Sequence, residues 1–314
     1  MTATATTTAP GVTGSWRFPA ATLAVGLFAV VVPQIVGSYY VSVALTLCMW
    51  IALTQSWTIL SGMAGYISLG HVVFYGLGGY VSVVTWQLLP LWVAIPLAGL
   101  AAGLFAAIIG APVLRVRGPY FVILTFGIAE LVKYIVINVE ATIAQTGRLM
   151  FGTPSISILF YVMLGLAVGA TLLAWSVRRS RLGAGLIAIR EDEPAAETIG
   201  VPVVRYKTYA YILSAVIPGM VGAVMGLRLT YVEVLQLFNP IISFTIVTMA
   251  IIGGSDDARG PVLGAGFLLV LSELLWSSLP QLYMVALGAL LVCFVLFAPN
   301  GIVGLITSRG GAKR

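Results

Sequence analysis

Apolar runs of about twenty residues, long enough to cross a hydrocarbon layer about 30 Å thick, recur along the whole of this 314-residue chain. Soluble chains are about a quarter charged; here 8% of residues are Asp, Glu, Lys or Arg and 60% are hydrophobic. The length would allow about two soluble domains, but this composition points to one all-α, polytopic membrane domain. Apolar runs bounded by charge, Pro or Gly give ten candidate spans: Ala20–Val36, Tyr39–Leu60, His71–Leu89, Leu91–Leu114, Pro119–Ile137, Ser157–Val177, Thr208–Leu229, Ile241–Gly253, Pro261–Leu279 and Leu282–Ala298. The eighth is short for a full crossing, so the expected count is nine to ten. Residues 1–18 are expected to be a disordered N-terminal arm, 19–305 the transmembrane domain and 306–314 a basic tail. The arm carries no positive n-region, so the first apolar run is read as a retained span rather than a signal peptide.

Lys and Arg set the orientation of such a domain. With ten spans, Arg17, Arg115, Arg117, the 178-RRSR-181 cluster, Arg190, Arg205, Lys207, Arg259, Arg309, Lys313 and Arg314 share one side with both termini, 13 of the 16 basic residues. Only Lys133, Arg148 and Arg228 fall elsewhere. That side is expected to be cytoplasmic. An anionic inner leaflet is a sufficient partner for the basic ends, and no nucleic acid is needed to explain a pI near 9.4.

Between the sixth and seventh spans lies a polar loop, residues 178–207. Within it, 191-EDEPAAE-197 gathers four of the chain's ten acidic residues. Asp192 suits an N-cap and Pro194 a first turn, while Gly200 and Pro202 supply a stop. This punctuation predicts a two-turn helix over Glu193–Ile199. On a helical wheel Ala195, Ala196 and Ile199 share one arc, with Glu193 and Glu197 opposite. A helix this short needs a surface to pack against, either the chain's own cytoplasmic face or a groove on a second protein.

The pattern E-x-A-A-x-x-x-G, present as Glu193, Ala195, Ala196 and Gly200, resembles the coupling-loop motif of ABC importer permeases. The wider stretch 180–223 resembles the LivM type of branched-chain amino-acid permease. So do 61-SGMAGYISLGHVVFYGLGGY-80, 115-RVRGPYFVILTFGIAE-130, the glycines and GPVLGA of 253–265, and 297-FAPNGIVGL-305. At 255-SDDAR-259 the chain departs from that family, which usually carries a further Gly and a Thr there. The resemblance implies a bacterial inner-membrane permease whose loop helix (Glu193, Ala195, Ala196, Glu197, Ile199, Gly200) meets a cytoplasmic ATPase. It also implies its partners: two ATP-binding subunits that hold ATP and Mg, a second permease subunit in a heterodimer, and an extracytoplasmic solute-binding protein, met at the long external loop Asn138–Ile156. The chain has no G-x-x-x-x-G-K-[ST] phosphate loop and no soluble segment large enough for a nucleotide site. Any ATPase must therefore be another polypeptide.

Two features mark a candidate translocation pathway. The first is the interruption 61-SGMAGYISLGH-71, with Ser61, Gly62, Gly65, Ser68, Gly70 and His71, readable as a tight cytoplasmic loop or as a broken helix lining a pathway. The second is charge within spans, which costs about 2.5–3.5 kcal/mol at a helix centre and is a functional candidate by default. Glu130 and Glu273 each lie about 17–18 Å along their spans. Lys133, three residues on, can pair with Glu130, whereas Glu273 has no obvious local partner. His71, the one histidine, reads as a lining or capping residue or as a proton relay. Cys48 and Cys293 sit inside spans with no metal-ligand spacing. No nucleophile–base pattern stands out, so a transporter subunit is expected rather than an enzyme. The rival reading is a ten-span secondary transporter driven by an ion gradient, which would leave the capped, charged loop helix unexplained.

Overall fold

The computed structural model describes residues 17–143, 147–255 and 257–278, together with 285, 288–289 and 301–303. In chain order the first helices are α1 (Arg17–Ala29), α2 (Val32–Ile35), α3 (Ser38–Ala64), α4 (His71–Thr85), α5 (Leu91–Val113) and α6 (Pro119–Thr142). After the two-residue strand β1 (Arg148–Leu149) come α7 (Ile156–Arg179), α8 (Arg181–Glu191), α9 (Glu193–Thr198) and α10 (Val203–Arg228). The strand β2 (Tyr231–Val232) then leads to α11 (Val234–Leu237), α12 (Ile241–Gly253) and α13 (Arg259–Ser278).

Seven stretches among the described residues are long and apolar enough to cross a membrane: 18–35, α3, α5, α6, α7, α10 and 234–253. They make this an all-α, polytopic membrane protein. The expected eighth span, too short by itself, gains length because α11 leads into α12. The expected third span is the shorter apolar helix α4, and α13 occupies the ninth. Of the tenth, 282–298, only residues 285 and 288–289 are described, and 1–16 and 304–314 lie outside the described residues.

Local signals set the helix ends. Gly65 closes α3 in the left-handed region at φ 76°, its N–H donating to the Ser61 carbonyl at 3.1 Å; glycine takes that conformation without a Cβ penalty. Pro119 stands in the first turn of α6, where its missing N–H costs nothing.

The interior is built on a close crossing of α4 and α10. A Cβ on Gly78 would lie 1.9 Å from the Gly219 carbonyl oxygen, and one on Gly222 1.9 Å from that of Tyr75. Small residues let membrane helices approach to backbone contact, where packing rather than water exclusion drives association. Around this crossing pack α3, α5 and α7. The outward stripe of α5, with Leu97, Leu100, Leu104 and Ile108 exposed, is apolar because a spanning helix has hydrocarbon as its solvent.

At the end opposite α8 and α9, β1 pairs antiparallel with β2, Arg148 opposite Val232, and the Met150 N–H donates to the Thr230 carbonyl. There Glu140 is paired with Arg148 at 2.8 Å and accepts the Tyr80 hydroxyl at 2.6 Å. Its carboxylate raises the Arg148 pKa against the opposing effect of burial. Sequence reasoning ended the fifth span at Ile137 and so missed this buried acid. The signal was Arg148, eight residues further on.

Candidate functional site

The loop helix forms where its punctuation predicts. Asp192 has extended backbone, and its carboxylate accepts the Ala195 N–H at 3.0 Å. Gly200 adopts φ 87°, and the Val201 N–H closes onto the Ala196 carbonyl at 3.0 Å. The helix ends at Thr198, with Ile199 as its C-cap.

Its two faces differ from the wheel expectation. Of Ala195, Ala196 and Ile199, only Ala196 is buried, at 2% exposure against a core that includes Leu186, Ile189 and Val203. Ala195 is exposed, and Ile199 is 74% exposed beside Glu197. Glu193 turns inward with Ala196, its i+3 neighbour on the same face. The reason is tertiary: three polar groups from distant segments converge on Glu193.

One oxygen of that carboxylate lies 2.7 Å from the Lys207 ammonium and 3.1 Å from the Arg117 guanidinium. The other accepts the Tyr66 hydroxyl at 2.7 Å. Lys207 also donates to the Tyr66 oxygen at 3.0 Å and to the Leu114 carbonyl at 3.2 Å, and sits 4.8 Å over the Tyr66 ring. That ring meets Phe121 edge-on at 5.1 Å. The Lys207 and Glu193 side chains are 4% and 10% exposed, and removing one partner of such a buried pair costs about 3–5 kcal/mol. Arg117 is 58% exposed, where solvent weakens a pair.

Burial works against a charged Glu193. Hydrogen bonds from Lys207 and Tyr66, then the charges of Lys207 and Arg117, overcome it and hold the carboxyl below its ordinary value. Burial first, and then the Glu193 bond and charge, push the Tyr66 phenol up. A depressed carboxyl contributes stability that is complete above its unfolded value and lost as pH falls through the folded one. Exchange protection of the Ala196 and Val201 amides, corrected for intrinsic rate, should therefore persist as pH falls to about 4.3 and vanish below that. Loss already at pH 6 would show that Glu193 does not anchor the helix.

α8 adds a second hold. Arg190 donates to the Gly62 carbonyl at 3.0 Å, and its Cγ lies 2.9 Å from where a Cβ on Gly65 would stand. The interruption after α3 is thus at the α8–α9 end, but it folds back inward. Trp57 donates to the Ser68 carbonyl at 2.8 Å, seven residues or about 10 Å before the end of α3. The Ser61 hydroxyl accepts the Ser68 N–H, and the Ser68 hydroxyl that of Gly70. Leu69 donates to the Thr125 hydroxyl, and Val72 to that of Ser243. His71 is fully buried, edge-on to Phe74 at 5.7 Å, and neither ring nitrogen has a hydrogen-bond partner among the described residues.

The candidate acids lie elsewhere. Glu130 pairs with Lys133 as the spacing implies. Glu273 is exposed and accepts the hydroxyl of Tyr39, a partner 234 residues away that no local reading offers. Tyr66, Arg117, Lys207 and Arg190 were missed as site residues. The two basic residues beside Gly118-Pro119 and the lysine one turn into α10 were the available signals. Among the described residues no group of three His, Cys, Asp or Glu could hold a metal ion.

Comparison with known proteins gives this arrangement its context. The family described as branched-chain amino acid transport system / permease component matches residues 39–295. The high-affinity branched-chain amino acid transport system permease protein LivM of Salmonella typhimurium is 27% identical over 315 residues, covering 90% of this chain and 74% of its own. LivM of Escherichia coli is 27% identical over 311 residues, covering 88% and 73%. A probable branched-chain amino acid transport permease protein LivH of Methanocaldococcus jannaschii is 27% identical over 158 residues, covering 46% and 47%. No solved structure matches. A family match that takes in α3 to α13 and the α8–α9 loop is decisive: the chain belongs to the branched-chain amino acid transport permease family.

Proposed function

We propose that this permease works as the membrane-spanning subunit of an ATP-driven ABC importer for branched-chain amino acids or related small solutes. The observation that carries this reading is α9. One face is fastened to the membrane domain through Glu193 and Ala196, while Ala195, Glu197 and Ile199 stand exposed. A helix so mounted can take a push on its outer face and pass it to the spans. The likeness to LivM proteins supports the solute class.

On this reading α9 faces the cytoplasm, with both chain ends, and about ten helices span a bacterial inner membrane. Two ATPase subunits bind ATP and Mg and dock on α9. A second permease subunit completes the pathway, and an extracytoplasmic binding protein delivers solute. ATPase closure then rocks the spans between outward-open and inward-open states, with the 61–71 segment as candidate lining.

A gentle-detergent pull-down of the tagged chain from its own membranes, with the copurifying proteins identified by mass spectrometry, tests this. Two ATP-binding subunits and a second multispan protein are expected. Recovery of the chain alone, still transporting in liposomes on an ion gradient, would hand the case to a secondary transporter.

A further inference from the structure

We propose that the Tyr66–Glu193 hydrogen bond is the link through which α9 drives the 65–70 segment, making Tyr66 a positioning residue for transport. This rests on the reading of α9 as the ATPase-facing helix. Of the three side chains held by Glu193, Arg117 is largely exposed and Lys207 belongs to the 26-residue helix α10. Tyr66 is buried and lies in a six-residue non-helical segment between two helix ends. The same stretch is gripped from α8 at Gly62 and Gly65 by Arg190, so α8 and α9 hold it from two points.

Beyond Tyr66 the chain runs straight into the membrane domain. Within six residues it bonds to α3 through Trp57, to α6 through Thr125 and to α12 through Ser243. It then starts α4 at the buried His71, whose ring nitrogens have no hydrogen-bond partner among the described residues. A displacement of α9 pulls Tyr66 and tilts the start of α4 against three spans at once. Gly70 permits little slack, since a Cβ there would meet the Thr125 carbonyl oxygen at 3.2 Å. A double-mutant cycle measures the coupling between the two residues.

The experiment uses the complex purified on the tagged chain and reconstituted in liposomes. Leucine uptake and ATP hydrolysis are measured together for Tyr66→Phe, Glu193→Gln and the double variant. Phenylalanine keeps the ring that packs on Phe121 and removes only the hydroxyl. Leucine imported per ATP hydrolysed should fall about tenfold in Tyr66→Phe, with the ATPase subunits still copurifying and ATP still hydrolysed. The double variant should be no worse than the worse single, because the hydroxyl removed by Tyr66→Phe reaches α9 through Glu193. An unchanged ratio in Tyr66→Phe, multiplying losses in the double variant, or loss of the ATPase subunits from Tyr66→Phe would each overturn the proposal. Absence of ATPase subunits from the unaltered complex would instead overturn the importer reading on which it rests.

Discussion

A Gly222→Val chain should fail to reach a stable fold. The α4–α10 crossing brings backbone against backbone: even a Cβ at 222 would stand 1.9 Å from the Tyr75 carbonyl oxygen and 3.1 Å from the Gly79 nitrogen. Neither atom ends a flexible side chain that can swing aside, so the helices themselves must separate. Overpacking ordinarily costs about 1–3 kcal/mol; the loss here should exceed that range, since Gly219 and Gly78 are forced apart along with Tyr75. In detergent, the variant should show a strongly lowered Tm or no monodisperse peak in size-exclusion chromatography. Gly127→Ala and Gly169→Ala are the controls. Nothing stands within 4 Å of a Cβ at either position, and alanine in a helix is favoured over glycine by roughly 0.5–1 kcal/mol. Those two should match or slightly exceed the parent. A Gly222→Val chain as stable as the parent would mean that α4 and α10 do not touch there.

Two substitutions, one on the buried side of the loop helix and one at its exposed C-cap, should fail in different ways. Ala196→Arg forces a charged side chain into a site that is 2% exposed, beneath a helix too short to hold itself. It should lift α9 from its seat, abolish ATP-coupled uptake and leave Asp192–Gly200 open to exchange. The spans should still insert, because position 196 lies outside them. Ile199→Arg alters a side chain that is 74% exposed. It should leave α9 seated, with its amides protected as in the parent, yet reduce copurification of the ATPase subunits. Uptake and exchange measured on both variants separate the inner face from the outer. Normal uptake in Ala196→Arg would remove the inner face from the mechanism, and full ATPase recovery with Ile199→Arg would remove the outer.

Much of the architecture was legible because its causes are local. In hydrocarbon the backbone must satisfy its own hydrogen bonds, so uncharged runs of about twenty residues read directly as helices. Asp192, Pro194 and Gly200 act within a turn of themselves, and α9 formed between them. Glu130 and Lys133, three residues apart on one helix, paired as the spacing implied.

Other features depend on groups that the chain keeps far apart. The inward turn of Glu193 was hidden from a helical wheel because Tyr66 lies 127 residues away, and that turn splits the expected Ala195–Ala196–Ile199 face. Tyr39 and Glu273 meet across 234 residues. The depth at which α4 begins depends on Trp57, Thr125 and Ser243 receiving a folded-back segment, so the choice between a surface loop and a broken helix had no answer in residues 61–71 themselves. The sequence by itself determined the class of molecule, most of its long apolar helices and the position of the loop helix α9, since hydropathy and capping act over a few residues. Only the tertiary structure decided which face of α9 is anchored and what it holds, because those contacts exist only once distant segments have packed.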